Sequence, residues 1–451
     1  MFKYLKLSVI TLFLSVCTFA AETDSLFHNQ FRQEIGGWIA ADATYSILLP
    51  DGRTLWLFGD TFIGEVDENN AIIPGSKFIR NSAVIQDGEQ LTSLFTGSRS
   101  DPSAYIPTAH PDSTWYWPDH GVVENDTLRI FLAKFRHKDN GSEGFNFEHA
   151  GNDMANFTYP GLEFISTLPV QAHSINGVLY GDRVLEDSGY FYIYGRGYDN
   201  PELNIPYPHV ARCPKSELML QKWEYYNGSG WSDDPLDTKR INDFQVSQQY
   251  SVSTHRGKYI LLTQDIWLSP DIWSFTSHTP FGPWEGKKLI YRTPETGQDM
   301  FTYNAWAHPQ FDRDDEMLIS YNTNGDFWSI FDNVELYRPR FIRVPYMIMD
   351  YDFWPNGQPA LSTSPIHGVE LFPNPVKDLA NLLIELSDDG EVSIEIMNLN
   401  GLIFRVYPAQ YLGRGSHRLQ VDLSELPAGF FLISVYEGSE VHRIKAVKIS
   451  D

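Results

Sequence analysis

The sequence predicts an all-β chain, a five-bladed β-propeller followed by a small C-terminal immunoglobulin-like β-sandwich. Three observations carry this. A unit of polar stretch, short strand, turn and more apolar strand recurs five times between about residues 30 and 350. All twelve Trp lie between Trp38 and Trp354, so the chain changes character beyond that point. Short alternating strands punctuated by Gly and Pro then fill the last eighty or so residues.

The recurring unit occupies Tyr45 to Asp60, Gly121 to Phe135, Val184 to Arg196, Tyr250 to Asp265 and Pro309 to Asn322. Its turns centre near 51, 126, 188, 256 and 314. Recurrence at that spacing, with several strands per unit, is the signature of propeller blades. Asn81 to Gln86, Gly161 to Ser166, Trp223 to Tyr226, Lys288 to Tyr291 and Tyr337 to Val344 are the candidate outer strands. A jelly roll would not explain five similar hairpins. After Trp354 the stretch 355–368 is rich in Pro, Gly and Ser and is expected to be a linker. In the module that follows, 369–451, Val392, Ile394 and Ile396 alternate with Glu391, Ser393 and Glu395, the pattern of a half-buried strand. Similar runs at 379–386, 402–407, 417–423 and 429–436 make five short strands.

Composition narrows the function classes. With 451 residues and 42% hydrophobic content the chain can bury a large core and is expected to form two or three domains. A net charge of −24 argues against nucleic acid as a partner, because phosphate backbones select basic surfaces. Lys3 and Lys6, an apolar run and then Ala20 and Ala21 form the pattern of a secretory signal peptide, residues 1–21. That leaves 22–354 for the propeller, and no second long apolar stretch predicts a transmembrane span. Without Cys17 only Cys213 remains, so no internal disulfide is expected. No phosphate-binding Gly loop or Ser-His-Asp pattern appears, and His137, His149, His173 and His209 lack metal-ligand spacing. No cofactor and no metal are expected.

The first hairpin draws attention for its acids. Pro50-Asp51-Gly52 is turn chemistry. If the loop has three residues with a Gly bulge, Asp51 is its centre and Asp42 faces Asp60 across the ladder. Facing carboxylates repel, and each raises the pKa of the other. A two-residue loop would put them on opposite faces. In a propeller, residues just before each inner strand converge at one mouth of the axial channel. Those positions are Asp42, Asp119 with His120, Asp182 with Arg183, Gln248 with Gln249, and His308. Trp117, Tyr250 and Trp306 lie near them and offer flat faces for sugar rings. Paired carboxylates in an aromatic-lined extracellular pocket point to glycoside hydrolysis of a polysaccharide or oligosaccharide, one acid protonating the leaving oxygen while the other stays ionised. The candidate set is Asp42 and Asp60 for catalysis, with Asn81, Trp117, Asp119, Asp182, Arg183, Gln249, Tyr250, Trp306 and His308 for substrate binding. The competing class is a non-catalytic propeller that binds glycan or protein.

Two stretches resemble known families. Leu371 to Pro375 (LFPNP), Ile396 to Gly401 (IMNLNG) and Leu426 to Phe431 (LPAGFF) resemble the C-terminal sorting domain of type IX secretion substrates in Bacteroidetes. The resemblance implies export across the outer membrane by that machinery, with release or surface attachment. Trp38, Asp42, Tyr45-Ser46, Asp51 to Thr54, Trp56 to Thr61 and Arg80 to Ser82 resemble five-bladed propeller families of domain-of-unknown-function type, some related to endo-D-arabinofuranases. Trp115 to Asp119, Gly282 to Trp284 and Ile319 to Asn322 agree in outline. In those enzymes two Asp at the start and end of the first hairpin are implicated in catalysis, which implies Asp42 and Asp60 here. Arabinanase- and invertase-like propellers instead place one carboxylate on each of three blades, which would be Asp42, Asp119 and Asp182 or Glu186. The invertase-type Asn-Asp-Pro and Arg-Asp-Pro motifs are missing.

Overall fold

The computed structural model describes residues 21–138, 146–199, 205–266, 268–297, 300–313, 315–350, 366–386, 389–398, 403–437 and 440–449. Residues 1–20 of the expected signal peptide lie outside these. The chain forms two compact units, Ala21–Pro355 and, in its C-terminal part, Asn356–Asp451.

The first unit is a five-bladed propeller, with five larger antiparallel sheets in chain order as blades and two smaller sheets beside them, Trp38–Ala41 with Thr61–Ile63 and Lys77–Ile79, and Thr96–Ser98 with Asp101–Ser103. Blade one comprises Tyr45–Leu48, Thr54–Phe58, Ser82–Asp87 and Gln90–Leu94. Blade two comprises Thr114–Glu124, Thr127–His137, Phe147–Thr158 and Phe164–Pro169. Blade three begins Leu179–Asp187, Tyr190–Tyr198 and Pro206–Pro214, and two short strands extend it. Blade four is Tyr250–His255, Lys258–Gln264, Asp271–Ser277 and Glu285–Arg292. Blade five is Met300–Ala307, Glu316–Gly325 and Arg340–Pro345, completed by the N-terminal strand Glu22–Thr23. That last strand pairs Glu22 with Arg343 and Thr23 with Ile342, so the first described strand closes the ring.

The aromatic and aliphatic side chains that alternate along these strands fill the seams between blades. Leu57, Leu132 and Phe157 fill the seam between blades one and two, and Phe131, Tyr180 and Ile193 that between two and three. Leu185, Tyr250 and Phe275 pack between three and four, and Ile260, Ile319 and Tyr346 between four and five. Trp56, Phe58 and Phe341 seal blade five against blade one. Each seam has its own core, and Trp38, Trp56, Trp223, Trp284 and Trp306 lie in these cores.

The second unit holds two antiparallel sheets. One has Ile366–Phe372, Leu379–Leu386 and Gly415–Asp422, the other Ile403–Leu412, Gly390–Asn398, Gly429–Glu437 and Glu440–Lys448. Val392, Ile394 and Ile396 share one core with Leu382, Ile384 and Val421 of the other sheet. The alternation predicted this burial. Of the expected linker, residues 355–365 lie outside the described residues, and 366–368 belong to the strand Ile366–Phe372.

Candidate active site

The site is built by the first hairpin. Leu49 N–H donates to Arg53 O at 2.8 Å and Gly52 N–H to Leu49 O at 2.9 Å, which encloses a three-residue loop. Gly52 takes a φ of +88°, a conformation that favours glycine. The Asp51 carboxylate accepts from the Arg53 backbone N–H at 3.1 Å and holds the turn. The register follows, with Tyr45 opposite Leu57 and Leu48 opposite Thr54, and the pairing continues beyond a kink to Ala41 opposite Thr61. At the kink Asp42 N–H donates to Asp60 O at 3.3 Å, and Gly59 N–H to Asp42 O at 3.0 Å. Asp42 and Asp60 therefore face each other, as the three-residue loop requires.

Each carboxylate has distinct partners. Asp60 accepts from Trp117 Nε1 at 2.9 Å and from Arg80 Nη1 at 3.2 Å, and the Arg80 guanidinium is held over the Trp115 ring at 4.2 Å. Asp42 accepts from the Tyr303 hydroxyl at 3.1 Å and from the Tyr337 hydroxyl. Both acids are partly exposed to solvent, whereas their neighbours along the hairpin are buried. Burial, and then the charge of Asp60, push the Asp42 carboxyl up to about 7. Burial also raises Asp60, but Arg80 and Trp117 oppose the rise. Near neutrality the proton of the pair belongs on Asp42 and the charge on Asp60, beside the cation.

Gly59 makes the close approach possible. A Cβ there would lie 2.6 Å from Asp42 Oδ1. Gly59→Ala is expected to displace the Asp42 carboxylate and lower turnover at least ~10-fold, about 1.4 kcal/mol of transition-state stabilisation, with an unchanged far-UV spectrum.

The other sequence candidates separate by depth. Asp42 lies nine positions from Asp51, the centre of its hairpin; Asp119 and Asp182 lie between six and seven from theirs. They sit about two and a half residues nearer the turn end of the channel, roughly 8 Å at strand rise. Asp119 and Asp182, 3% and 0% exposed, flank Arg196, whose Nη1 bonds Asp182 and lies 3.9 Å from Asp119 Oδ1. Tyr45 donates its hydroxyl to Asp119 Oδ1 at 3.1 Å. His308 is wholly buried between Ser46 Oγ at 2.6 Å and Ser320 Oγ at 2.8 Å. Trp306 packs edge-on against Tyr45, and the Tyr250 hydroxyl donates to Gly195 O at 2.7 Å. Asn81 spends its side chain on Ile106 and on Tyr116 O, bracing the turn into blade two. Gln249 is closed off nearly as well. The structure places Asn81, Asp119, Asp182, Gln249, Tyr250, Trp306 and His308 in the interior, away from the acid pair. Arg183 lies in the same deep layer, against His120. Trp117 alone joins the acid pair. The three-blade scheme is not assembled, since Asp119 and Asp182 are sealed around Arg196 and Glu186 pairs with Lys215 on the surface.

Arg80, Tyr303, Tyr337 and Gly59 were not singled out from the sequence. Arg80 and Gly59 lie inside the quoted first-blade motif. Tyr303 and Tyr337 reach the pair from blade five and the segment before its third strand, and no local pattern marks them.

Residues 24–354 match the family described as Domain of unknown function (DUF5005), and residues 370–449 match the secretion system C-terminal sorting domain. The chain belongs to the DUF5005 family. Its sorting domain marks the DUF5005 chain for export by type IX secretion, to the cell surface or the medium. Among the described residues no helix is long and apolar enough to cross a membrane. A “putative hydrolase” from Bacteroides ovatus shares 23% identity, covering 72% of this chain and 89% of that one, with a TM-score of 0.60. A GH43_1 enzyme from Xanthomonas citri complexed with xylotriose has 15% identity over 68% of this chain and 87% of its own, with a TM-score of 0.39. An α-L-arabinofuranosidase from Podospora anserina in complex with cellotriose has 11% identity over 72% and 94%, with a TM-score of 0.36. Among curated proteins, none matches the chain significantly.

Proposed function

We propose that the propeller is an exported glycoside hydrolase acting on an extracellular polysaccharide through Asp42 and Asp60. The observation that carries this reading is the facing acid pair, with a cation on one member only. Asp42, protonated near neutrality, gives its proton to the glycosidic oxygen. Asp60, ionised against Arg80 and Trp117, acts on the anomeric carbon directly or through a water. Tyr303 and Tyr337 orient the Asp42 carboxyl. The first-blade motif supports arabinofuranose-containing chains as the substrate class. The two facing sheets of the second unit support an immunoglobulin-like reading of the sorting domain, and the sequence pattern supports removal of residues 1–21 as a signal peptide.

The test is release of reducing ends from a panel of arabinans, arabinogalactans and other plant and bacterial polysaccharides. Retained binding with no release on any substrate would favour the glycan-binding class instead. The reading also sets a pH profile. The acid must carry its proton, so activity is expected to fall as pH rises through about 7, following the Asp42 carboxyl. A rate that stays flat from pH 6 to 9 would remove Asp42 from the role of acid.

A further inference from the structure

A cavity of about 540 Å³ lies where the propeller ring closes, and neither Asp42 nor Asp60 lines it. That volume falls within the roughly 300–1,000 Å³ of small-molecule sites. Its walls come from the N-terminal segment, from the loop between Thr61–Ile63 and Lys77–Ile79, from the outer edge of blade four and from blade five. Two carboxylates, Glu295 and Glu335, and two guanidiniums, Arg32 and Arg340, line it, and their charges balance. Burial, and then the charges of Arg340 and Arg32, hold the His28 ring below its usual range, so it adds no charge near neutrality. Neighbouring groups fix these side chains. The Tyr321 hydroxyl donates to the two Glu295 oxygens at 3.0 and 3.2 Å. Glu335 accepts from Arg32 Nε at 2.8 Å and from Arg338 Nη1 at 2.5 Å. Arg340 Nη2 donates to Glu335 O at 2.8 Å. Its Nε and Nη1 stay 3.6 and 3.7 Å from the two carboxylates, at ion-pair but not hydrogen-bond distance.

The lining selects the class of ligand. An anion calls for surplus cations, a cation for surplus carboxylates, and an apolar molecule for apolar walls. Here carboxylate acceptors and guanidinium donors stand in equal number, and the side-chain amides of Asn69, Asn70 and Asn333 supply both kinds of group. Such a lining matches hydroxyl groups, each of which donates and accepts. The partly exposed Tyr291 ring adds an aromatic face. We propose that this cavity binds a neutral sugar unit of an extracellular polysaccharide, as a glycan-holding site separate from the acid pair. The choice of a glycan as ligand rests on the reading of the propeller as a carbohydrate-active protein. The short turn Val334–Tyr337 places Glu335 in the cavity wall and Tyr337 against Asp42. A sugar held there therefore braces the turn that orients the acid.

Titration calorimetry of the full chain carrying Asp42→Asn tests this with three neutral probes, arabinotriose, xylotriose and galactotriose, and with trigalacturonate. Saturable binding of at least one neutral trisaccharide is expected. Adding Glu295→Gln is expected to weaken it at least ~10-fold, the effect of losing a hydrogen bond to a charged group. Adding Asn69→Trp, which fills the cavity from an exposed loop residue, is expected to do the same and decides the matter should the Glu295 variant fail to fold. Binding of none of the three neutral probes overturns the proposal, as does binding that neither variant weakens. Binding that only Trp117→Ala removes belongs to the acid pair and also overturns it. Tighter binding of trigalacturonate than of the neutral probes overturns the ligand class. The reducing-end assay of the native chain reads the acid pair separately. No release there, with this binding intact, removes the hydrolase reading and leaves the cavity assignment standing.

Discussion

Asp42→Asn and Asp60→Asn are each expected to lower polysaccharide hydrolysis by about 100- to 10,000-fold, the range for loss of an acid–base partner. They should differ in every other respect. Asp42 is held protonated by burial and by Asp60, with its carboxyl at about 7. A carboxyl raised above its unfolded value near 3.9 binds its proton more tightly in the folded state, so it costs stability as pH rises from about 4 to 7. Asn removes that cost while keeping shape and hydrogen-bonding oxygen. Asp42→Asn should therefore be more stable than the native protein by about 1–3 kcal/mol at pH 8, and equal to it at pH 4. Asp60→Asn instead leaves Arg80 without its carboxylate and relieves Asp42 of a neighbouring charge. Its gain in stability should be smaller or absent, and the residual acid should titrate lower. Urea unfolding at both pH values, beside the reducing-end assay, distinguishes the two. Similar stability profiles for both variants would count against the assignment of the proton to Asp42. Active sites that store such costs are common where function opposes stability.

Arg196→Met is expected to destabilise the propeller by about 3–5 kcal/mol, the usual consequence of removing one partner from a buried ionic group. Met retains most of the apolar stem but leaves Asp119 and Asp182 facing each other inside the channel without a cation. Burial already raises both carboxyls, Asp119 to about 6 and Asp182 well beyond its ordinary value, against the pull of Arg196. Without the guanidinium they rise further, so the folded state holds extra protons and the loss grows as pH increases from 4 to 8. Adding Asp182→Asn to the variant should recover part of the loss. A pH-independent deficit would mean that Arg196 acts through packing alone.

The hairpin that carries the acid pair was legible because its determinants are local. Pro50-Asp51-Gly52 fixes the loop, the loop fixes the register, and the register places Asp42 opposite Asp60. Depth in the channel was not legible. The inner strands of blades two, three and five carry register shifts between Pro118 and Gly121, Tyr180 and Arg183, and Tyr303 and Trp306. Such bulges alter which residue reaches a given level without leaving a pattern in the sequence. Positions that look equivalent, such as Asp42 and Asp119, consequently occupy different layers. Tyr303 and Tyr337 were invisible for another reason, since they join the site only through ring closure. The two-residue strand Glu22–Thr23 is too short to show alternation, and its partner lies at the far end of the propeller.

That closure has a kinetic corollary. The hydrogen bonds between Glu22–Thr23 and Ile342–Arg343 join residues more than 300 positions apart. Contacts so distant in sequence form late, because the intervening chain must be ordered first. Until then Arg340–Pro345 is an unpaired edge, open to any other extended segment, including the same strand of a second nascent chain. A chain ending anywhere before Pro345 could build blades one to four yet would have nowhere to dock its own beginning. Maturation therefore has the character of a latch, with Glu22–Thr23 held in reserve until the last blade exists.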